Sequence, residues 1–84
     1  MMYSVDLVPA AFRQLKKLPR DTQEKIGAII ENLKTDQYPR GCSKLIDQPG
    51  YRIREGNYRI IYDPDKKKKA VKIIAILDRK EAYR

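Results

Sequence analysis

The sequence predicts an α+β fold of order β-α-α-β-β-β. In it an αα-hairpin packs on a four-stranded, mainly antiparallel sheet, as one domain over residues 1–84. Three observations carry this. Ala11 to Leu33 holds two consecutive stretches of helical apolar spacing, parted by Pro19. Tyr51 to Tyr62 reads as two strands around a Gly56-Asn57 turn. Val71 to Leu77 is an almost unbroken apolar run of strand length.

In chain order, Tyr3 to Val8 alternates apolar and polar residues, as a half-buried strand does, and Pro9 then stops it and opens a helix. Ala11, Phe12, Leu15 and Leu18 form the apolar side of that first helix, against Arg13, Gln14, Lys16 and Lys17. Asp21 and Glu24 are spaced as a capping box for a second helix, with Asp21 as the cap. Ile26, Ile29, Ile30 and Leu33 then follow at i, i+3, i+4 and i+7, and the helix ends near Lys34 to Asp36. Core packing accounts for these positions without any chemistry. Thr35 to Gly41 is a loop, and Cys42 to Gly50 leads from it into the hairpin with Leu45 as its anchor. Lys44 is either solvated or a phosphate contact.

A two-residue loop at Gly56-Asn57 would set Arg54 opposite Arg59, Ile53 opposite Ile60, Arg52 opposite Ile61 and Tyr51 opposite Tyr62. Tyr51, Ile53, Ile60 and Tyr62 would then share a core face, and Arg52, Arg54 and Arg59 the other. Like charges directly opposite one another are destabilising by roughly 0.2–1 kcal/mol. Two readings remain: a basic solvated sheet face, or a site whose anionic partner removes that cost through the rigid arginine fork. A three-residue loop would shift the register and separate Arg54 from Arg59.

Beyond the hairpin, Asp63-Pro64-Asp65-Lys66 suits a type I turn. Lys66 to Lys69 is either a solubilising tip that guards a sheet edge or an RNA contact. Val71 to Leu77 is expected to be central and covered on both faces, with the first strand beside it. Asp78-Arg79-Lys80-Glu81-Ala82-Tyr83-Arg84 leaves the sheet near the arginines of the hairpin, either solvated or converging with them.

Composition narrows the function classes. The 84 residues carry 19 Lys and Arg against 11 Asp and Glu, a net charge of +8. Such an excess points to nucleic acid, an anionic membrane or an acidic protein. No run approaches the roughly 18 apolar residues of a membrane span, and Asp6 and Pro9 interrupt any signal-peptide pattern. A cytoplasmic protein without membrane attachment is expected. Cys42 stands alone and there is no histidine, so an internal disulfide, a cysteine-based metal site and the Ser-His and Cys-His arrangements are excluded. Neither metal nor cofactor is expected.

The element order, together with Tyr51-Arg52-Ile53-Arg54, Gly56-Asn57-Tyr58-Arg59-Ile60-Ile61-Tyr62, the 78–84 tail and Leu15-Lys16-Lys17-Leu18-Pro19, resembles the RelE/ParE superfamily of toxins over essentially the whole chain. RelE-type members cut mRNA in the ribosomal A site, and ParE-type members poison DNA gyrase. Arg59, Arg79 and Tyr83 look like the RelE side. The resemblance implies a toxin of a type II toxin–antitoxin system. It would act as a metal-independent, ribosome-dependent endoribonuclease in which the RNA 2′-hydroxyl attacks its own 3′ phosphate.

Arg54, Arg59, Arg79 and Tyr83 would carry the chemistry, with Tyr83 stacking on a base. Arg52, Lys44, Lys80 and Arg84 would hold RNA. An arginine cannot serve as general base, since its pKa exceeds about 12. That leaves Tyr83, Lys80, Asp78, Glu81 or no residue. The implied partners are an acidic, partly disordered RelB-like antitoxin, the ribosome and mRNA, with operator DNA reached only through the antitoxin. A gyrase inhibitor of the same fold, or a non-catalytic co-repressor held by the antitoxin, are the alternatives.

Overall fold

The computed structural model describes residues 2–79. β1 (Ser4–Leu7) leads into α1 (Pro9–Lys16) and α2 (Arg20–Asn32). β2 (Ser43–Lys44), β3 (Tyr51–Glu55), β4 (Tyr58–Asp65) and β5 (Ala70–Asp78) follow. The sheet order is β1-β5-β4-β3-β2, antiparallel except for the parallel β1–β5 pair. The α+β architecture and the place of β1 beside β5 are as expected. The sheet has five strands rather than four, because Ser43 and Lys44 pair with Arg52 and Tyr51. Two residues are too few to show a period.

Pro9 occupies the start of α1, where its missing N–H costs nothing. Ala11 is fully buried, and Leu15 and Leu18 pack at the margin of the core. Phe12 departs from the expected apolar face: it is 51% exposed, with the Lys16 ammonium 5.6 Å from its ring centre. The expected capping box is also absent. Pro19 takes the cap position, Asp21 lies inside the first turn, and no side chain caps α2. Gln23 serves the other helix instead. Its Nε2 donates to the carbonyls of Leu18 (2.9 Å) and Lys16 (3.3 Å), closing the end of α1.

Ile26 and Ile30 of α2, with Leu33 at its C-cap, are buried against Ile53, Ile60, Tyr62, Val71, Ile73 and Ile76 of the sheet. β5 is central, between β1 and β4, but only its helix side is covered: Lys72 and Ile74 are exposed. The lack of alternation in Val71–Leu77 has a local cause. Tyr62 pairs with Ile73 and Ile61 with Ala75, so Ile74 is the extra residue of a β-bulge. The bulge shifts the inward set from Val71 and Ile73 to Ile76. Past the end of β1, the Ile76 N–H donates to Gln14 Oε1 on α1 at 2.7 Å, which replaces the missing strand neighbour.

The β4–β5 turn falls later than expected. Asp63 and Pro64 belong to β4, opposite Lys72 and Val71. β3 begins at Tyr51, opposite Tyr62, so beyond that point one side of β4 has no strand beside it. A proline is tolerated there. The turn itself is Lys66 to Lys69, and Asp65 Oδ1 accepts the N–H groups of Lys67 (2.9 Å) and Lys68 (3.1 Å). In the middle of β4, the Tyr62 hydroxyl donates to the carbonyl of Gln37 (2.9 Å), and the Tyr62 ring stacks on Tyr51. Gly50, at φ +112°, sits so close that an added Cβ would lie 2.7 Å from the Tyr62 carbonyl oxygen.

Candidate anion-binding cleft

The β3–β4 hairpin has the expected register, with Arg54 directly opposite Arg59. Gly56 alone takes a positive φ, +58°, at the first central position, which is the type II′ pattern that matches strand twist. Ile53, Ile60 and Tyr62 are buried on the helix side, while Arg54 is exposed on the other. β5 runs alongside to end at Asp78, which pairs with Tyr58. The next residue, Arg79, donates its backbone N–H to the carbonyl of Asn57 at 2.6 Å. Hairpin tip and strand end are thereby joined. Between them lies a cleft of about 220 Å³ lined by Arg54, Gly56, Asn57, Tyr58, Arg59 and Arg79.

Three arginines from three separate strand ends thus meet at one cleft, and none of its described lining residues is acidic. Guanidinium groups remain charged at any working pH and donate in forks that match the oxygens of a phosphate. A negative charge growing in this cleft would be stabilised by donors already in place.

Of the other residues read from the sequence, Arg52 shares the arginine face but lines a separate depression with Leu45 and Asp47, toward the β2 edge. Lys44 is not brought to the cleft. It is exposed, pairs with Tyr51 with its ammonium 5.6 Å from the centre of that ring, and lines the same depression as Arg52. Lys80, Tyr83 and Arg84, like Glu81, lie outside the described residues. Asp78 opens toward α1, where it lines a hollow with Gln14, Lys17, Leu18, Tyr58 and Ile76. It is not among the residues lining the arginine cleft. The Ile74 bulge is the reason, since uninterrupted alternation from Val71 would have put Asp78 on the arginine face.

Sequence reasoning missed Tyr58 and the anchoring carbonyl of Asn57. Tyr58 follows the turn and faces Glu55, so the predicted register already placed it at the rim. A backbone carbonyl leaves no mark on the sequence. Tyr62 is fully buried on the opposite side, and burial, reinforced by the Cys42 thiol, pushes its hydroxyl well above its ordinary pKa of 10.0. It takes no part in the cleft. A second, more apolar hollow of about 350 Å³ lies between α2 and β3, with Ala28, Ile29, Pro39 and Ile53 in its lining. Among the described residues no group of three or more His, Cys, Asp and Glu side chains is placed to hold a metal. No described helix is long and apolar enough to cross a membrane.

Two helices on one face of a mixed sheet, with basic residues gathered at a hairpin end, are shared with a class of small toxins found by comparison with known proteins. The family model described as "ParE toxin of type II toxin–antitoxin system, parDE" matches residues 5–83. The toxin–antitoxin complex RelBE2 from Mycobacterium tuberculosis superposes with a TM-score of 0.82 at 24% identity, over 94% of this chain and 100% of that one. An archaeal RelE–RelB complex from Pyrococcus horikoshii gives 0.81 at 26% identity, over 94% and 97%. The intact E. coli RelBE complex gives 0.79 at 23% identity, over 90% and 95%. No curated protein sequence matches the chain. The chain belongs to the RelE/ParE family and is a toxin of a type II toxin–antitoxin system.

Proposed function

We propose that this toxin is a ribosome-dependent mRNA endoribonuclease that inhibits translation in the cytoplasm. The observation that supports it most is the gathering of Arg54, Arg59 and Arg79 around one cleft. The reaction is transesterification. The RNA 2′-oxygen attacks the adjacent phosphorus, the bond from phosphorus to the 5′-oxygen breaks, and a 2′,3′-cyclic phosphate and a free 5′-hydroxyl result. The proton lost by the 2′-hydroxyl leaves to a base or to water, and the 5′-oxygen gains one.

The arginines hold the phosphate and stabilise the charge that grows on its oxygens, which is usually the largest catalytic contribution. Fixing the 2′-oxygen, the phosphorus and the leaving oxygen in line adds another large share. Tyr83 is assigned to stack on a base beside the scissile bond, an interaction worth about 1–3 kcal/mol. Lys80 and Arg84 are assigned to RNA backbone. The ribosome supplies what an open cleft on so small a protein cannot: a strand already bent and held.

Mapping of 5′ ends in a translating extract tests the proposal. Cuts within codons, made only on translating ribosomes and ending in 5′-hydroxyls, are expected. Equal cutting of naked RNA would remove the ribosome from the mechanism.

A second reading follows from the family model, whose description is that of a ParE toxin. A gyrase-directed toxin would leave mRNA intact and block supercoiling, with trapped DNA breaks. The same basic face would then meet DNA or an acidic surface of the enzyme.

The partner in either case is an antitoxin of RelB type, the kind present in the neighbouring complexes. An acidic, partly disordered segment that orders on contact suits a host of net charge +8. The apolar hollow between α2 and β3 is assigned to one of its helices, and the arginine face to its carboxylates.

A further inference from the structure

The three arginine side chains of the cleft are hydrogen-bond donors and nothing else, since a guanidinium accepts no hydrogen bond. The reaction proposed above also needs an acceptor. The 2′-hydroxyl must turn its hydrogen away from the phosphorus and aim a lone pair at it. A guanidinium bonded to the 2′-oxygen would draw on that lone pair and make it a poorer nucleophile.

Besides the arginines, the described lining consists of Gly56, Asn57 and Tyr58. Gly56 has no side chain. Tyr58 shares its side of β4 with the buried Ile60 and Tyr62, packs against the core and also lines the hollow beside α1. Asn57 is exposed at the hairpin tip and lines the arginine cleft but not that hollow. Its backbone carbonyl is taken by the Arg79 N–H, which leaves its amide side chain for a ligand. Backbone geometry does not call for asparagine here. Gly56 takes the positive φ that the turn requires, and Asn57 does not.

We propose that Asn57 binds the ribose of the scissile nucleotide, its side-chain oxygen accepting the hydrogen bond of the 2′-hydroxyl while the arginines bind the phosphate. This inference rests on the reading of the toxin as a ribonuclease. An amide oxygen is too weak a base to keep the proton, so Asn57 orients the hydroxyl and is itself unchanged. The proton passes to water as the 2′-oxygen bonds to phosphorus, and the departing 5′-oxygen takes one up from water. The 2′-hydroxyl is what separates RNA from DNA at a given site. A group placed to bond a hydroxyl also disfavours the analogue that lacks it. The main-chain bond between Asn57 and Arg79 then sets the spacing between the group that reads the sugar and one that holds the phosphate.

The test uses the full-length toxin, freed of antitoxin, on ribosomes programmed with either of two mRNAs. One has a 2′-hydroxyl at the scissile nucleotide and the other a 2′-hydrogen. Both carry a methylene group in place of the leaving 5′-oxygen, so neither is cut. The natural chain should bind the hydroxyl form about 3–10-fold more tightly, the usual worth of an uncharged hydrogen bond. Asn57→Ala should bind both forms alike, with its affinity for the 2′-hydrogen form unchanged. Asn57→Asp, which keeps an acceptor, should keep the preference. On ordinary mRNA, Asn57→Ala should lower single-turnover cleavage by about 10–100-fold. Its thermal unfolding should not move, because the backbone carbonyl that holds Arg79 remains. A natural chain that cuts mRNA but shows no preference would overturn the proposal and leave the nuclease reading intact, as would an Asn57→Ala chain that keeps the preference. An equal loss of affinity for both mRNAs in Asn57→Ala would assign the residue to the hairpin tip, and the proposal would fall. A natural chain that cuts no mRNA on translating ribosomes would overturn the nuclease reading and this inference with it.

Discussion

The backbone N–H of Arg79 and the carbonyl of Asn57 are joined at 2.6 Å, which ties the end of β5 to the tip of the neighbouring hairpin. The arginine that closes the cleft is therefore positioned by a main-chain contact with a turn. Arg79 lines the cleft together with Arg54 and Arg59. Arg59 reaches the same cleft from the strand between them.

Arg59→Ala and Arg79→Ala should each lower single-turnover cleavage by about 10²–10³-fold, the loss typical when a donor to developing charge is removed. Thermal unfolding should be nearly unchanged. Arg52→Ala, in its separate depression, should weaken RNA binding and flatten its salt dependence while leaving the bound-state rate alone. An Arg79→Ala chain with an undiminished single-turnover rate would exclude that residue from the reaction.

Arg54 should show activity and stability pulling apart. It stands directly across from Arg59, and like charges so placed cost roughly 0.2–1 kcal/mol. Arg54→Thr should therefore raise the urea midpoint slightly and reduce cleavage at the same time. A drop in both would mean that its packing outweighs the repulsion.

Gly50→Ala should be among the most damaging single-methyl changes in the chain. The new Cβ would lie 2.7 Å from the carbonyl oxygen of Tyr62, at a φ of +112° that alanine rarely adopts. A loss of roughly 2–4 kcal/mol in urea unfolding is expected. Gly27→Ala, where an added Cβ meets nothing within 4 Å, is the matched control and should be neutral or stabilising.

Tyr62 makes stability fall in alkali. Its hydroxyl ionises near 10.0 when unfolded, but burial raises that value in the folded protein. Below pH 10 both states keep the proton and stability is independent of this group. As pH rises above 10 the unfolded chain releases the proton and the folded one holds it. Stability should then drop by about 1.4 kcal/mol per pH unit from this residue. Unfolding of Tyr62→Phe measured beside the natural chain from pH 8 to 11 should show a shallower decline in the variant.

Much of this could be read from residues alone, and the gaps have physical causes. The hairpin was legible because Gly56-Asn57 fixes the turn, and the turn fixes which residues face one another. The helices were legible from Ile26, Ile30 and Leu33, but Phe12 was misplaced because one turn of spacing cannot tell a core position from its neighbour. β2 was hidden by its length. The bulge at Ile74 was the most consequential omission, because a single extra residue reverses the facing of everything after it. Asp78 therefore lines the helix-side hollow rather than the arginine cleft. The meeting of Arg54, Arg59 and Arg79 could be anticipated in part, since like charges gathered in one register are visible in sequence. The main-chain bond that holds Arg79 there is not.

The parallel pairing of β1 with β5 also governs when this toxin can exist at all. Its first strand has no partner until β5 is made, and β5 lies inside the sheet, between β1 and β4. During synthesis, β1, the two helices and the hairpin must wait with their apolar faces uncovered. Arg79 comes after every strand. A nascent chain therefore has no complete arginine cleft until β5 and Arg79 have been made. Premature termination anywhere before β5 leaves a fragment without the strand that joins β1 to β4, suited to degradation rather than to poisoning the cell.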